Sequence, residues 1–106
     1  MELLNAIELE RAAARHPQLA SWLSAWRSIA EAAEWKSLVD IRRTYPAADG
    51  VALGKGRNKL VITVFNAGGN DYRLLTRISF AKQLLQIEQV LTHAEYSKNK
   101  WKHRYE

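Results

Sequence analysis

Residues Lys59-Leu-Val-Ile-Thr-Val-Phe-Asn66 are rich in β-branched and aromatic side chains, and this composition predicts a strand. Ala67-Gly-Gly-Asn70 follows, and a glycine pair in this place is typical of a tight hairpin turn that needs positive φ angles. Asp71 to Phe80 then returns as a second strand, in which side chains alternate between two faces. This stretch therefore predicts an antiparallel hairpin.

The second strand carries two arginines on one face, on either side of Leu75. Arg73 and Arg77 are two alternations apart, roughly 13–14 Å along a strand. Two exposed arginines at this spacing suit successive backbone phosphates, because guanidinium groups are forked donors. The alternative interpretation is a pair of solvated strand residues. Tyr72 and Leu74, which alternate with the arginines, are predicted to face the core.

The residues before the hairpin predict three helices, which span residues 8–15, 17–34 and 37–44. The first ends at His16-Pro17, because a residue that precedes proline is kept out of the α region. The second has apolar residues at three- and four-residue spacing, which predicts an apolar stripe that packs against the core and consists of Leu19, Trp22, Leu23, Trp26 and Ile29/Ala30. A turn over Ala47-Ala-Asp-Gly50 is predicted after the third.

A third strand is predicted from Leu84 to Thr92, although its leucines also suit a helix. Helices followed by three consecutive strands predict an α+β domain, in which N-terminal helices pack on one face of a small antiparallel sheet. The chain closes with Lys98-Asn-Lys-Trp-Lys-His-Arg104, a basic and aromatic-bearing tail that is expected to be mobile.

Composition narrows the class of protein. The 106 residues are enough for one domain, and 47% hydrophobic with 25% charged residues argues against disorder. The absence of cysteine excludes a disulfide scaffold, a thiolate zinc site and a cysteine nucleophile. No secretory signal is visible, and no stretch approaches the ~20 apolar residues of a membrane span. We therefore expect a soluble, cytoplasmic protein with no membrane partner.

Charge is uneven along the chain. Residues 1–50 carry six basic and seven acidic side chains, whereas residues 51–106 carry ten basic and four acidic ones. A basic half within a small domain is the electrostatic footprint of a protein that binds a polyanion such as nucleic acid. The alternative is a basic surface that serves only solubility.

One histidine stands where a rigid sheet could present it to a substrate. His93 comes just after the third strand, beside Glu95 and Tyr96, and imidazole titrates near neutral pH. It is a candidate for proton transfer in phosphodiester cleavage, although spacing alone also fits a surface residue. His16 and His103 are weaker candidates, since one is at a helix end and the other in the tail. The three histidines are scattered, so no metal site is predicted.

Two motifs in the sequence strongly resemble those of the HigB family of bacterial toxins, within the wider RelE/ParE fold group. They are Gly69-Asn-Asp-Tyr-Arg-Leu74 and Thr92-His-Ala-Glu-Tyr96, which are specific together and weak singly. Similar residues occur further toward the N-terminus, at Arg15-His-Pro17, Trp26, Ala33-Glu-Trp-Lys36 and Tyr45-Pro46. The likeness therefore covers nearly the whole chain up to about Lys98.

The resemblance implies both a fold and an activity. The fold is RelE-like and typically includes a short N-terminal strand, which would make part of Met1–Asn5 a strand. The activity is that of an mRNA interferase, a metal-independent endoribonuclease without a cofactor that cuts mRNA, usually on the translating ribosome. A HigA-type helix-turn-helix antitoxin neutralises toxins of this kind.

The resemblance also assigns site residues. Arg73 matches the arginine of the first motif and is expected to stabilise charge on the phosphorane. His93 matches the histidine of the second motif and is expected to act as general acid or base. Glu95 or Tyr96 would complete proton transfer or orient His93, and which group is acid and which is base stays open. Flanking phosphates are expected to contact Lys59, Arg77 and Lys98.

The sequence departs from the family pattern directly after the second motif. Family members commonly continue with Asp-Lys, whereas this chain has Ser97-Lys98, so any role of that aspartate is absent. Residues 1–98 are expected to form the toxin domain. Residues 99–106 form a basic C-terminal tail without a family counterpart, which either adds affinity for ribosomal RNA through phosphate contacts or is an unimportant extension.

Two other functions remain open at this point. A ParE-like toxin of the same fold would poison DNA gyrase by binding it, and a catalytically silent module would bind only the ribosome or the antitoxin. The Thr92-His-Ala-Glu-Tyr96 motif favours the RNA endonuclease over both alternatives, because a toxin that only binds needs no titrating group there.

Overall fold

A computed structural model describes the backbone of residues 1–106 and every side chain except that of Asn58. In chain order, its strands and α-helices are β1 (Glu2–Leu4), α1 (Ile7–Arg15), α2 (Ala20–Ala32), α3 (Leu38–Thr44), β2 (Asp49–Leu53), β3 (Leu60–Ala67), β4 (Tyr72–Ser79), β5 (Leu84–Thr92) and α4 (His93–Ser97). A short 3-10 helix at Pro17–Leu19 leads into α2, and another at Lys100–Tyr105, the C-terminal 3-10 helix, follows α4.

The five strands form one mostly antiparallel sheet in the order β1-β5-β4-β3-β2. Only β1 runs parallel to its neighbour, β5. The predicted hairpin is confirmed, because β3 and β4 pair from Ala67 opposite Tyr72 onward. Gly68 in its turn has φ +57°, and an added Cβ would lie 2.8 Å from Leu19 Cδ1. Both the conformation and the space at this position therefore require glycine.

Helices α1, α2 and α3 cover one face of the sheet, where the larger core lies. The predicted stripe on α2 and the turn before it is largely confirmed, since Leu19, Leu23, Trp26 and Ala30 are buried and Trp22 packs half-buried against the same core. Ile29 is exposed. The Trp26 ring meets Phe65 of β3 edge to face, with ring centroids 5.3 Å apart. The first and third helices end at Arg15 and Thr44, as predicted, whereas α2 ends at Ala32, two residues before its predicted end. The α+β fold is confirmed.

The opposite face of the sheet carries a smaller core. Ile62, Val64 and Leu75 are buried there against Trp101 of the C-terminal 3-10 helix. The prediction of a mobile tail is wrong for this segment, because an indole on the tail finds an apolar surface that the alternation of β3 and β4 leaves uncovered. The C-terminal 3-10 helix is therefore part of the folded domain and contributes Trp101 to the smaller core.

The same packing corrects the prediction of two exposed arginines. Arg77 is exposed, but Arg73 retains only 9% of its accessible surface, and Leu75 between them is fully buried. Tyr72 and Leu74 face the helical core, as predicted. The alternation of β4 was therefore predicted correctly, but the exposure of its second face was not.

Two strands lie where local sequence signals do not predict them. β2 begins at Asp49, inside the predicted turn, because Val51 and its neighbours pair with β3 around Ile62. The N-terminal strand implied by the resemblance is present as β1, which pairs with β5 at Leu84. None of the helices in the described chain combines the length and apolar character that crossing a lipid bilayer requires.

Candidate active site

Arg73 lies near the hairpin end of β4, between Asn66 of β3 and Leu91 of β5. Its Nη1 donates hydrogen bonds to the carbonyl oxygens of Asn70 at 3.0 Å and Tyr72 at 2.9 Å. Its Nη2 donates to Asn70 Oδ1 at 3.0 Å. The turn of the hairpin therefore fixes the guanidinium, and Asn70 acts as its support as well as a turn residue.

The charge of Arg73 has no acidic counterpart within the part of the chain that the structure describes. The ion pairs there involve Arg11, Arg27, Arg42 and Arg43. Arg73 is a largely buried residue whose guanidinium hydrogen-bonds only to neutral oxygens, and burying an unpaired charge is costly. This arrangement favours an anion as the missing partner of Arg73.

Tyr96 lies against Arg73. The guanidinium carbon is 5.7 Å from the centroid of the Tyr96 ring, within the range of a cation–π contact. Burial raises the pKa of the Tyr96 hydroxyl, the charge of Asp49 raises it further, and the charge of Arg73 opposes them in part. The phenol is therefore protonated at neutral pH, which suits a proton donor.

His93 is the first residue of α4, and its ring is exposed. Its backbone N–H donates to the carbonyl oxygen of Asp71 at 2.8 Å, which ties the start of α4 to the hairpin turn. Because Thr92 pairs with Tyr72, the histidine and Arg73 lie at the same end of the sheet. Ser97 Oγ, one helical turn further on, is 3.4 Å from His93 Nδ1.

Glu95 is engaged in holding α4 together. Its Oε1 accepts a hydrogen bond from the backbone N–H of Thr92 at 2.9 Å, and Thr92 Oγ1 accepts one from the backbone N–H of Glu95 at 3.1 Å. These reciprocal bonds form a capping box at the helix N-terminus. The bond from the Thr92 backbone lowers the pKa of Glu95, burial opposes this, and His16 and Arg15 lower it further.

The three residues expected to bind flanking phosphates, Lys59, Arg77 and Lys98, are all exposed. Two of them line different depressions. Arg77 lines a depression of about 440 Å³ with Lys82, and Lys98 lines another of about 380 Å³ with Trp101. Arg73 lines neither of these two depressions.

A larger depression of about 660 Å³ lies between α1 and the outer edge of β5. Its lining includes Arg15, His16, Thr92 and Glu95. The His16 ring packs against Tyr72 with centroids 4.9 Å apart. Sequence reasoning ranked His16 low as a helix-end residue, because only the packing of α1 on β5 brings it beside Glu95.

Sequence reasoning also gave no role to Ser97 or Trp101, which contact His93 and Tyr96 respectively. The spacing of Ser97, four residues after His93 on a helix, was an available signal. The contact of Trp101 had none, since it depends on how the tail folds back. Among the described side chains, no group of three or more His, Asp or Glu residues is placed to hold a metal ion.

Comparison with known proteins gives two kinds of match. Residues 19–99 match the family model HigB_toxin, described as the RelE-like toxic component of a toxin–antitoxin system. The mRNA interferase toxin HigB of Escherichia coli strain K12 is 30% identical over 96 residues, which are 91% of this chain and 88% of that protein. An mRNA interferase HigB of Escherichia coli O6:H1 is 26% identical over 98 residues, which are 92% of this chain and 90% of that protein.

Proposed function

The chain belongs to the HigB family of RelE-like toxins of toxin–antitoxin systems, and from this premise we propose that it is an mRNA interferase, an endoribonuclease that cleaves messenger RNA. The observation that carries the proposal is the buried guanidinium of Arg73, which has no carboxylate partner among the described side chains and lies against the Tyr96 ring. A scissile phosphate supplies the anion that this guanidinium lacks.

The chemistry uses the substrate's own nucleophile. The ribose 2′-oxygen loses its proton and attacks the adjacent phosphorus, and the bond from phosphorus to the 5′-oxygen breaks. That oxygen takes up a proton, so the products carry a 2′,3′-cyclic phosphate and a 5′-hydroxyl. DNA lacks the 2′-hydroxyl and is not a substrate. The balance needs no metal or cofactor.

Arg73, Tyr96 and His93 have separate roles in this reaction. Arg73 donates to the non-bridging oxygens as negative charge grows on them, a contribution typically worth about 3 kcal/mol. Tyr96, kept protonated by burial, is the acid that protonates the leaving 5′-oxygen. His93 is the general base, since an unprotonated imidazole nitrogen can accept the proton of the 2′-hydroxyl group. Glu95 holds α4 in place through its capping box.

Membership of this family implies a cognate antitoxin as the partner that restrains the toxin. We propose that the antitoxin is of the HigA helix-turn-helix type and that cleavage occurs on the ribosome, in the cytoplasm. Lys59, Arg77 and Lys98 then contact flanking phosphates of mRNA or ribosomal RNA, each through salt-sensitive attraction. Their spread over separate depressions suits an extended RNA surface.

Primer extension on total RNA, after brief induction of the gene, tests the proposal. Discrete cuts in translated transcripts support it, whereas intact transcripts with DNA damage identify a gyrase poison. Intact transcripts without DNA damage identify a module that only binds.

The variants His93→Gln and Arg73→Ala are expected to abolish both the cuts and growth arrest while antitoxin binding persists. His103→Gln, which changes an exposed histidine of the C-terminal 3-10 helix, serves as the matched control and is expected to stay toxic. Full toxicity of both His93→Gln and Arg73→Ala would show that the site lies elsewhere.

A further inference from the structure

The C-terminal 3-10 helix begins just beyond residue 99, where the family match ends. We propose that Trp101 in this helix is a positioning residue for RNA cleavage, which holds the Tyr96 ring against Arg73. The inference rests on the proposed function, because it gives Trp101 a part in that reaction. It goes beyond that function, because Trp101 lies outside residues 19–99, which the family model matches.

Two contacts join Trp101 to Tyr96. The two rings stack with centroids 5.2 Å apart and planes inclined by 16°. The indole Nε1–H donates a hydrogen bond to the backbone carbonyl oxygen of Tyr96 at 3.0 Å. One contact fixes the side chain and the other fixes the main chain, so together they define where the phenol points.

Trp101 is itself firmly held, which a positioning role requires. Only 7% of its surface is accessible, and it packs on Ile62, Val64 and Leu75 of the sheet. The Tyr105 ring packs edge to face against it, with centroids 6.4 Å apart. Trp101 therefore transmits the rigidity of β3 and β4 to Tyr96.

Tyr96 needs such support because its own helix is short. α4 has five residues, and isolated helices of this length are not stable in water. The capping box fixes the first turn of α4, but Tyr96 lies at its fourth residue. Without Trp101, the phenol loses the stacked ring and is free to leave the Arg73 guanidinium.

A purely structural role for Trp101 gives a different expectation. Loss of a buried indole would then lower the stability of the fold without changing the catalytic step in molecules that remain folded. Ile41, which is fully buried in the helical core away from Tyr96, provides a matched control for such a loss.

The experiment compares Trp101→Ala, Trp101→Phe and Ile41→Ala with the wild type in the full-length protein. Cleavage of ribosome-bound mRNA is measured at a temperature well below each Tm. We expect kcat to fall at least tenfold in Trp101→Ala with KM within twofold of the wild type, and Trp101→Phe to restore most of the loss. Ile41→Ala is expected to lower Tm and to leave kcat unchanged.

A second measurement does not depend on activity. Tyrosine labelled with ¹³C at the ζ position, with Tyr96 assigned through Tyr96→Phe, reports the ionisation of each phenol by NMR. Since burial raises the pKa of Tyr96, exposure in Trp101→Ala is expected to move its titration back toward the ordinary value of 10.0. Ile41→Ala is expected to leave this titration in place.

Wild-type kcat in folded Trp101→Ala would overturn the inference, and so would a Tyr96 titration that does not move. A wild-type protein that cleaves no RNA would overturn the proposed function, and the role of Trp101 in that reaction with it. The two failures are therefore distinguishable.

Discussion

The guanidinium carbon of Arg73 lies 5.7 Å from the centroid of the Tyr96 ring, so a cation of β4 and a phenol of α4 meet at the hairpin end of the central strand. The two side chains are 23 positions apart in sequence and are brought together by the pairing of β4 with β5. The proposed chemistry depends on this contact, since one group binds the phosphate and the other donates a proton.

Replacement of Arg73 tests phosphate binding. Arg73→Ala is expected to lower kcat by about 100- to 1,000-fold, because a preorganised donor to the developing charge is lost. Arg73→Lys keeps the charge without the fork and is expected to recover only part of the rate. Steady-state cleavage of a defined mRNA on ribosomes measures both. The control is Arg43→Ala, which removes an exposed arginine of α3 outside the proposed site and is expected to keep kcat.

Stability must be followed in the same variants. Loss of the guanidinium leaves the Asn70 and Tyr72 carbonyl groups without their donor, which costs about 1–3 kcal/mol if water does not replace it. Urea unfolding reports this cost. Folded Arg73→Ala with wild-type kcat would remove Arg73 from the mechanism.

Tyr96→Phe separates the hydroxyl from the ring. The variant keeps the ring against Arg73 and Trp101 but has no proton to give, and we expect kcat to fall about 100-fold. Because the pKa of Tyr96 is raised above 10.0, its hydroxyl stays protonated at pH 8–9. Deprotonation of Tyr96 should therefore not lower the rate of the wild type in this pH range. A pH–rate profile from pH 6 to 9 measures both effects.

Tyr105→Phe is the control for that variant, since Tyr105 is also partly buried and has a raised pKa. Its hydroxyl donates to Glu88 Oε1 at 2.9 Å, away from Arg73. Equal activity of Tyr96→Phe and Tyr105→Phe would exclude the Tyr96 hydroxyl as the acid.

Glu95 is expected to contribute to stability in a pH-dependent way. Its folded-state pKa is lowered, chiefly by the hydrogen bond from the Thr92 backbone, so the carboxylate stabilises the fold above its ordinary value of 4.5. That contribution is lost as pH falls through the lowered value. Glu95→Ala is therefore expected to cost about 0.5 kcal/mol at pH 7 and progressively less below pH 4.5.

Urea unfolding of the wild type and Glu95→Ala between pH 7 and pH 3 measures this difference. Glu10→Ala, which removes an exposed carboxylate of α1, is the reference. A difference that stays constant down to pH 3 would mean that ionisation of Glu95 has no part in capping α4.

The two hairpin glycines are expected to differ. Both have positive φ, +57° at Gly68 and +74° at Gly69, so alanine costs about 1 kcal/mol at either position. Alanine at Gly68 also meets Leu19 Cδ1, whereas Gly69 has open space around it. Gly68→Ala should thus lower the free energy of unfolding by about 1–3 kcal/mol more than Gly69→Ala. Equal losses in urea unfolding would contradict the packing of Leu19 on this turn.

Local signals sufficed for much of the fold. The glycine pair before Asn70 predicts the hairpin, and His16-Pro17 and Tyr45-Pro46 mark helix ends, because each signal acts through the residue's own backbone. β2 was not predicted, because it forms by pairing with β3, and a local turn pattern carries no information about this pairing.

The surroundings of Arg73 could not be predicted for a similar reason. Strand alternation places Arg73 and Leu75 on one face but does not say what covers that face. Trp101, 26 positions after Leu75, covers it, and the tail's basic composition suggested a solvated segment instead. The position of Arg73 was thus predicted, while its burial and its contact with Tyr96 needed the structure.

In the proposed mechanism, Arg73 and Tyr96 act on a phosphodiester that the neighbouring 2′-oxygen attacks. The chemistry of the RNA ends that the purified protein produces from mRNA on ribosomes tests this mechanism. Wild-type protein is predicted to leave 2′,3′-cyclic phosphate and 5′-hydroxyl ends, and Arg73→Ala none above background. Fragments with a 5′-phosphate, or wild-type amounts of cleavage by Arg73→Ala, would contradict the claim.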